Sequence, residues 1–349
     1  MKKIYTLSIL LLLGFSSVFG QIGGKYSYSF LQMPIAARTA ALGGNVTSIA
    51  DDDINLGFNN PSLISTSYDN SIALNYVNYF TGINYGGVSY ANSFEKVGSF
   101  MATIQYMDYG TFNYADETGT LGGTFNAQDV AFVLGWGRQL DSLFSIGANA
   151  KLIYSFYESY NSFGIAVDVA GTYQSKTGWI MSLVASNIGS QLTTYVSGER
   201  SPLPFNLQYV VSKRLKHVPF RFSVIYDHIE KWDLTYEDPL NPSGGTDPVT
   251  GEPEYKTGAA KFADQLLRHI IVGGEIYIGK NIILRGGYNY GRRQELKLNE
   301  RSAMVGFSWG LGIRVYKFKI NYSRSSYQLS GGSPNYLSLT FDLDSFTRN

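Results

Sequence analysis

Three groups of residues in this chain have types and spacings that could carry chemistry. Gly306-Phe307-Ser308-Trp309-Gly310 spells G-x-S-x-G, the pattern of a serine-hydrolase nucleophile elbow. That elbow needs a sharp turn from a strand into a helix, whereas Val305, Phe307 and Trp309 read as one face of a strand. His228 and His269 are the candidate bases, and no motif ties either to Ser308. Together with His217 they are the histidines of the chain, too scattered to form a metal-ligand set. His217 ends the basic stretch Lys213-Arg214-Leu215-Lys216-His217, which reads as a solvated turn. Asp51-Asp52-Asp53 could suggest calcium, but such a run ahead of Ile54 more commonly caps a helix start. The expectation is therefore no catalytic residue, no metal and no cofactor: the chain is not an enzyme.

The elements that would position any other function begin after residue 20. Residues 1–20 carry two lysines, an apolar run from Ile4 to Phe15 and small residues before Gly20. This reads as a Sec-type signal peptide, since the run is short of the roughly 20 residues a spanning helix needs. No cysteine follows it, so it is not a lipoprotein signal. Charge is nearly balanced and turns slightly acidic without Lys2 and Lys3, which gives no case for a nucleic-acid partner. The chain holds 27 tyrosines, 38 glycines and no cysteine, so an exported protein must draw stability from a large core or a closed sheet rather than disulfides.

Alternation decides the class. In the stretch from Phe163 to Tyr173, Phe163, Ile165, Val167, Val169 and Tyr173 share one face; Gly164, Ala166, Asp168, Ala170 and Thr172 share the other. The same period runs through 130–136, 145–154, 205–212, 282–289 and 337–343, and Asp129, Lys151, Asp168, Arg285 and Asp342 keep to the face of small and polar residues. A secreted sandwich would also alternate, but with more charge on its solvent face. A Lys or Arg facing lipid at the midplane costs about 2–4 kcal/mol, so this segregation predicts an all-β transmembrane barrel in the outer membrane, with outer-membrane lipid around it. Aromatics near strand ends (Tyr76, Tyr79, Phe80, Tyr154, Phe156, Tyr157, Tyr288, Tyr290) read as girdles.

About fourteen antiparallel strands are expected, at 70–80, 82–92, 97–109, 126–138, 142–157, 159–175, 177–188, 203–214, 218–231, 267–279, 281–291, 300–314, 317–327 and 334–344. Short turns at 94–96, 139–141, 175–177 and 279–281 alternate with long loops at 110–125, 189–202 and 232–266, which places both termini in the periplasm. The domain reading is 1–20 signal peptide, 21–66 N-terminal plug and 67–349 transmembrane β-barrel. The plug is too apolar for water (Phe30, Leu31, Ile35, Leu42, Ile54, Phe58 among others) and too irregular for lipid. It belongs in the lumen, with short helices at Pro34–Leu42 and Asp53–Leu63 and a flexible joint at Gly43-Gly44.

The motifs of this plug carry a resemblance. A luminal segment with Asn-Pro-Ala followed by a fourteen-stranded barrel resembles the FadL-like transporters of hydrophobic compounds; here it stands as Asn60-Pro61-Ser62, with Ser where Ala is usual. Gly23-Gly24, Phe30-Leu31-Gln32-Met33-Pro34 and the run from Ala37 through Arg38 and Leu42 to Gly43-Gly44 are most similar to the PorV/PorQ branch of that superfamily, outer-membrane proteins of the type IX secretion system. The sharp match covers only 22–63. It implies a non-enzymatic platform in a complex with PorU, PorV and PorZ that attaches secreted cargo to surface lipopolysaccharide, catalysis residing in the sortase PorU. The rival is a FadL-like channel for hydrophobic small molecules. The long Pro- and Gly-punctuated loop with Trp232, Tyr236, Asp238, Pro239, Asp247 and Glu252, closing in a helical Ala259–Leu267, is the candidate extracellular partner loop.

Overall fold

Lipid outside and a filled lumen inside force each strand to sort its side chains by parity. The computed structural model describes residues 26–44, 46–235, 245–246, 253–254, 258–296, 304–327 and 332–347. In it the first seven barrel strands are β1 Ser71–Asn78, β2 Asn84–Phe94, β3 Gly98–Ala115, β4 Leu121–Gln139, β5 Phe144–Tyr157, β6 Tyr160–Gln174 and β7 Trp179–Gln191. The other seven are β8 Asn206–Arg214, β9 Phe220–Tyr226, β10 Ile270–Ile278, β11 Ile282–Asn289, β12 Phe307–Val315, β13 Phe318–Ser325 and β14 Asn335–Asp342. Each pairs antiparallel with its neighbours, and β1 closes on β14 from Ser71↔Asp342 to Asn78↔Asn335, so the barrel has no open edge.

The parity is plain in β6. Ile165, Val167 and Val169 are 42 %, 43 % and 45 % exposed on the outer surface, while Asp168 between them is 1 % exposed. Asp129, Lys151, Arg221, Glu275 and Arg285 are likewise buried on the inner face. This is a transmembrane barrel of the outer-membrane type. Even-to-odd connections are short, as at 140–143, 175–178 and 316–317, and the long ones gather at the opposite end. The long loop after β9 contains a two-residue ladder, Gly245–Thr246 with Pro253–Glu254, and ends in a helix at Gly258–Arg268.

Two expectations need correction. Residues 110–125 are not a loop: β3 and β4 continue to Ala115 and Leu121 as a ribbon above the rim, past a bulge between Asp108/Gln128 and Thr111/Asn126. The bulge resets the register, and above it both faces of the ribbon are open to solvent, so no alternation marks it as strand. Three of the expected girdle residues are not girdle residues either: Tyr79 packs against the luminal core, Tyr157 turns inward to donate to the buried Asp129 at 2.8 Å, and Tyr290 leaves the strand. β11 stops at Asn289, and Tyr290 opens a helix, Tyr290–Leu296, with its hydroxyl donating to Asp264 at 2.8 Å.

Residues 26–44 and 46–68 lie inside the barrel. Their structured pieces are single turns: 3-10 segments at Ser29–Gln32, Ile54–Leu56, Pro61–Leu63 and Thr66–Tyr68, and α1 at Ala37–Ala41. None could stand alone in water, since an isolated helix of a few residues does not repay its nucleation. Phe30, Ile35, Leu42, Ile54, Leu56, Ile64 and Tyr68 are all buried; Phe30, Ile35, Ile54, Ile64 and Tyr68 pack with the inner wall of the early strands, Val46 packs with β6 to β10, and Leu42 and Leu56 join Ile49 and Leu63 within the plug. Gly23 and Gly24 lie outside the described residues.

Candidate functional site

The plug's motifs are its contacts with the wall. Arg38, in the first turn of α1, is 4 % exposed. Its Nε donates to Glu275 at 2.9 Å and its Nη2 to the same carboxylate at 3.1 Å. Both Nη atoms donate to Asp51, at 3.0 and 2.7 Å, and Nη1 reaches Asp53 at 3.2 Å. A guanidinium has five N–H donors, and these five bonds use all of them. Glu275 also receives Arg285 Nε at 2.8 Å, Arg221 Nη1 at 3.3 Å and the Tyr277 hydroxyl at 2.9 Å. Three guanidinium groups thus meet three carboxylates, and the buried cluster is neutral overall. Such a cluster adds less net stability than its distances suggest, because five of its six groups were desolvated to make it and Asp51 was desolvated in part. What it specifies is position: α1 can sit at one height against β9, β10 and β11.

The three aspartates divide their work. Asp53 caps the Ile54–Leu56 turn by accepting from the Asn55 amide, as expected. Asp51 belongs to the Arg38 cluster, and Asp52, at the mouth, pairs with Arg314 at 3.0 Å and Lys319 at 2.6 Å.

Gly43, expected to be a flexible joint, is a wedge. It has φ +88°, and a Cβ on the facing Gly287 would lie 2.3 Å from the Leu42 carbonyl carbon and 2.4 Å from the Gly43 nitrogen. A side chain on Gly44 would meet Ile225 at 2.7 Å. Leu42, Gly43 and Gly44 are therefore fixed by close approach rather than left free to hinge.

On the other side of the lumen, a Cβ on Gly147 would fall 2.2 Å from the Pro61 oxygen, and one on Gly137 would fall 2.3 Å from the Ile64 oxygen. Asn60 is fully buried; its amide nitrogen donates to the Thr47 carbonyl at 2.9 Å. Ser62 donates to Asn60 Oδ1 at 2.6 Å and lies 2.6 Å from Thr172 Oγ1. Each hydroxyl carries one proton, so donation must run Ser48 to Ser182, Ser182 to Thr172, Thr172 to Ser62 and Ser62 to Asn60. The serine standing where the resemblance has alanine thus closes a hydroxyl chain between plug and wall.

Between these anchors, Lys151 pairs with Asp168 at 2.8 Å and donates to Asn187 Oδ1 at 2.8 Å. Beside them is a void of about 10 Å³, also lined by Asn59, Asn206 and Gln208, with room for one water.

The long-loop end of the barrel is organised around His269. Its ring stacks between Tyr226 and Trp232, and its nitrogens face the carbonyl oxygens of Asp227 (2.6 Å) and Trp232 (3.0 Å). Trp232 donates its indole N–H to Gln265 at 3.0 Å on α2, the Gly258–Arg268 helix. His228 bonds Glu230 at 2.7 Å. Of the other partner-loop candidates, Tyr236, Asp238, Pro239, Asp247 and Glu252 lie outside the described residues. Ser308 is buried in β12 with its Oγ on Ser325 at 3.0 Å, and no helix follows it, so the elbow geometry does not arise. His217 is exposed in the β8–β9 turn.

Sequence reasoning missed Glu275, Arg221 and the wall glycines 137, 147 and 287. The available signal was a charge in the lumen-facing register of β9 and β10. Which plug residue meets it depends on contacts 170 (Arg221 with Asp51) and 237 (Glu275 with Arg38) residues apart in sequence.

No protein-family model matches the chain. No curated protein matches it either. Among solved structures, it resembles the toluene transporter TodX of Pseudomonas putida at 12 % identity and a TM-score of 0.51, over 90 % of this chain and 99 % of that one. A FadL homologue of Pseudomonas aeruginosa aligns at 11 % identity and a TM-score of 0.48, over 88 % of this chain and 98 % of that one. At such identity the likeness to TodX is one of fold: the chain is a closed, fourteen-stranded antiparallel barrel of the outer-membrane type.

Proposed function

We propose that this chain is a non-enzymatic outer-membrane platform, a fixed barrel whose extracellular elements hold surface proteins, as in the PorV/PorQ branch of the type IX secretion system. One observation carries the reading: the plug is bonded to the wall all the way round. Asn55 meets Asn75 of β1, the Pro34 carbonyl Tyr85 of β2, the Phe30 carbonyl Gln105 of β3 and the Phe58 carbonyl Asn149 of β5. Ser62 and Ser48 hold β6, β7 and β8; Asp51 and Arg38 hold β9 and β10; Gly43 holds β11; and Asp52, Ala40 and Ala37 hold β12, β13 and β14. β4 is met by the close approach of Gly137 to the Pro61 and Ile64 oxygens and by Ala131 and Val133, which share a core with the plug. A lumen held this way favours a scaffold over a conduit. PorU, PorV and PorZ are the proposed partners, with lipopolysaccharide the acceptor of cargo and catalysis left to PorU.

A second reading has its own support. The fold likeness to a toluene transporter favours a FadL-like channel for hydrophobic small molecules, whose plug would have to break the Arg38 cluster to open. Replacing residues 239–256 by a Gly-Ser link separates the two, since shortening a surface loop changes closure entropy by only about 0.6 kcal/mol per halving. A platform should still insert, lose its co-purifying surface protein and release its cargo, with uptake of hydrophobic compounds unchanged. Intact cargo attachment with impaired uptake would favour the channel.

A further inference from the structure

Among the described residues, the ribbon formed by the upper parts of β3 and β4 has no flanking strand and is met by the β5–β6 tip, where the Glu158 amide donates to the Asn126 carbonyl at 3.1 Å. β2 pairs with β3 only from Phe94↔Gly98 as far as Asn84↔Asp108, and β5 pairs with β4 only up to Tyr157↔Ala127. Beyond those rungs, the pairs from Thr111↔Asn126 to Ala115↔Leu121 continue without a paired strand on either edge among the described residues, about 15 Å tall at the rise of an antiparallel strand. One face carries an aromatic cluster. Phe112 stacks on Phe125 at 5.3 Å, and Tyr114 packs on Phe125 at 4.9 Å. Phe112 and Tyr114 remain 43 % and 42 % exposed, and Leu121 beside them is 67 % exposed.

The surrounding charge is of one sign. Residues 107–128 and 154–166, which make this ribbon and the adjoining β5–β6 tip, contain Asp108, Asp116, Glu117 and Glu158 and no Lys or Arg. Tyr114 donates its hydroxyl to Glu158 at 2.7 Å, so the ring cluster and the acid form one surface. Hydrogen bonds from Ser159 and Tyr114 hold the Glu158 carboxyl below its ordinary range, and those from the Thr118 hydroxyl and the Thr120 amide do the same for Asp116. These carboxylates are therefore anionic at neutral pH.

Exposed ring faces bordered by carboxylates attract cations in two ways, through the ring quadrupole and through charge. We propose that this ribbon, with Glu158, is a docking surface for a Lys- or Arg-rich segment of a partner protein at the cell surface. The anionic headgroups of lipopolysaccharide are disfavoured on the same ground. The inference rests on the platform reading and names the chemistry of its partner.

The test uses the full-length protein in its native outer membrane, with a benzophenone side chain in place of Leu121 as the photo-crosslinking probe. The expected product is a crosslink to a surface protein, mapped by mass spectrometry to a segment rich in Lys and Arg. The triple variant Asp116→Asn, Glu117→Gln, Glu158→Gln and, separately, Phe112→Ala should each lower the yield about tenfold, as loss of complementary charge or of a cation–π face would. Phe112, Asp116 and Glu117 are exposed and Glu158 is half-buried in the β5–β6 turn, so their replacement is expected to leave the barrel folded, which the gel shift on boiling verifies in each variant. Crosslinks to lipopolysaccharide, or to a protein segment without basic residues, overturn the proposal. So does an unchanged yield in both variants while the same surface protein still co-purifies, an outcome that leaves the platform reading standing. Absence of any co-purifying surface protein from the wild type overturns both.

Discussion

Replacing Arg38 with methionine keeps most of its aliphatic bulk and removes its charge and five donors. Asp51, Asp53 and Glu275 would then face only Arg221 and Arg285, leaving one negative charge uncompensated beside a Glu275 that is 1 % exposed. Removing one partner of a buried ion pair costs about 3–5 kcal/mol, because the remaining charge keeps its desolvation penalty. Asp51 is 26 % exposed, so water can reach part of the cluster and the lower end of that range applies. A loss of about 3 kcal/mol raises the open population of the plug by roughly two powers of ten. The assay is amide hydrogen exchange in lipid nanodiscs. Exchange at 37–56 should accelerate by about that factor, with β5 to β7 unchanged, because the wall keeps its ladder bonds. Pairing Arg38→Met with Glu275→Gln removes the orphaned charge and should recover at least about 1 kcal/mol, since contacting residues couple. Unchanged exchange in the single variant, or strictly additive losses in the double, would refute the idea that this cluster sets the plug's position.

Other outcomes follow from the same contacts. Gly287→Ala places a methyl 2.3 Å from the Leu42 backbone, so it should cost about 1–3 kcal/mol as overpacking and lower the temperature of the boiling-induced gel shift. Ser62→Ala removes one proton from the hydroxyl chain and leaves Asn60 Oδ1 short of a donor; a loss of about 1–3 kcal/mol is expected in thermal unfolding, against none if the serine is incidental. The His228–Glu230 contact gives the extracellular loop a pH window. Burial pulls the His228 pKa down, but the hydrogen bond to Glu230 and the charges of Asp227 and Glu230 outweigh it, so it ends above its ordinary 6.5. Burial pushes Glu230 up, yet its bonds to His228 and the Leu207 amide leave it below 4.5. The histidine's contribution is complete below 6.5 and is lost as pH rises through the higher folded value; the glutamate's is complete above 4.5 and is lost as pH falls through the lower one. Exchange protection at 227–232 should therefore be greatest between 4.5 and 6.5 and decline on both sides; a flat profile would show that the pair does not anchor the loop.

The barrel was legible because lipid and lumen impose period two on every strand, and a charge such as Asp168 or Arg285 marks the inner face without further information. The β3–β4 ribbon was not, because above the rim neither face is buried and Thr111-Phe112-Asn113-Tyr114 has nothing to alternate against. Within the plug, Asp53 as a cap and the buried character of 30–64 followed from composition. Its partners did not. Arg38 could have met any inward acid, and the wall positions that receive Leu42, Pro61 and Ile64 are glycines, which are chosen for what they lack and leave no pattern to read.

The most direct test of a barrel that works with its plug in place is to lock that plug. The chain has no cysteine, and the Ser62 and Thr172 hydroxyl oxygens are 2.6 Å apart, so Ser62→Cys with Thr172→Cys can form a disulfide between plug and wall in the oxidising envelope. Cargo attachment in cells carrying the locked variant is the quantity to measure, with the reduced form as reference. A platform should retain its surface partner and hold cargo equally well, locked or reduced. Loss of attachment or of hydrophobic-compound uptake on oxidation, restored on reduction, would show that the plug has to move.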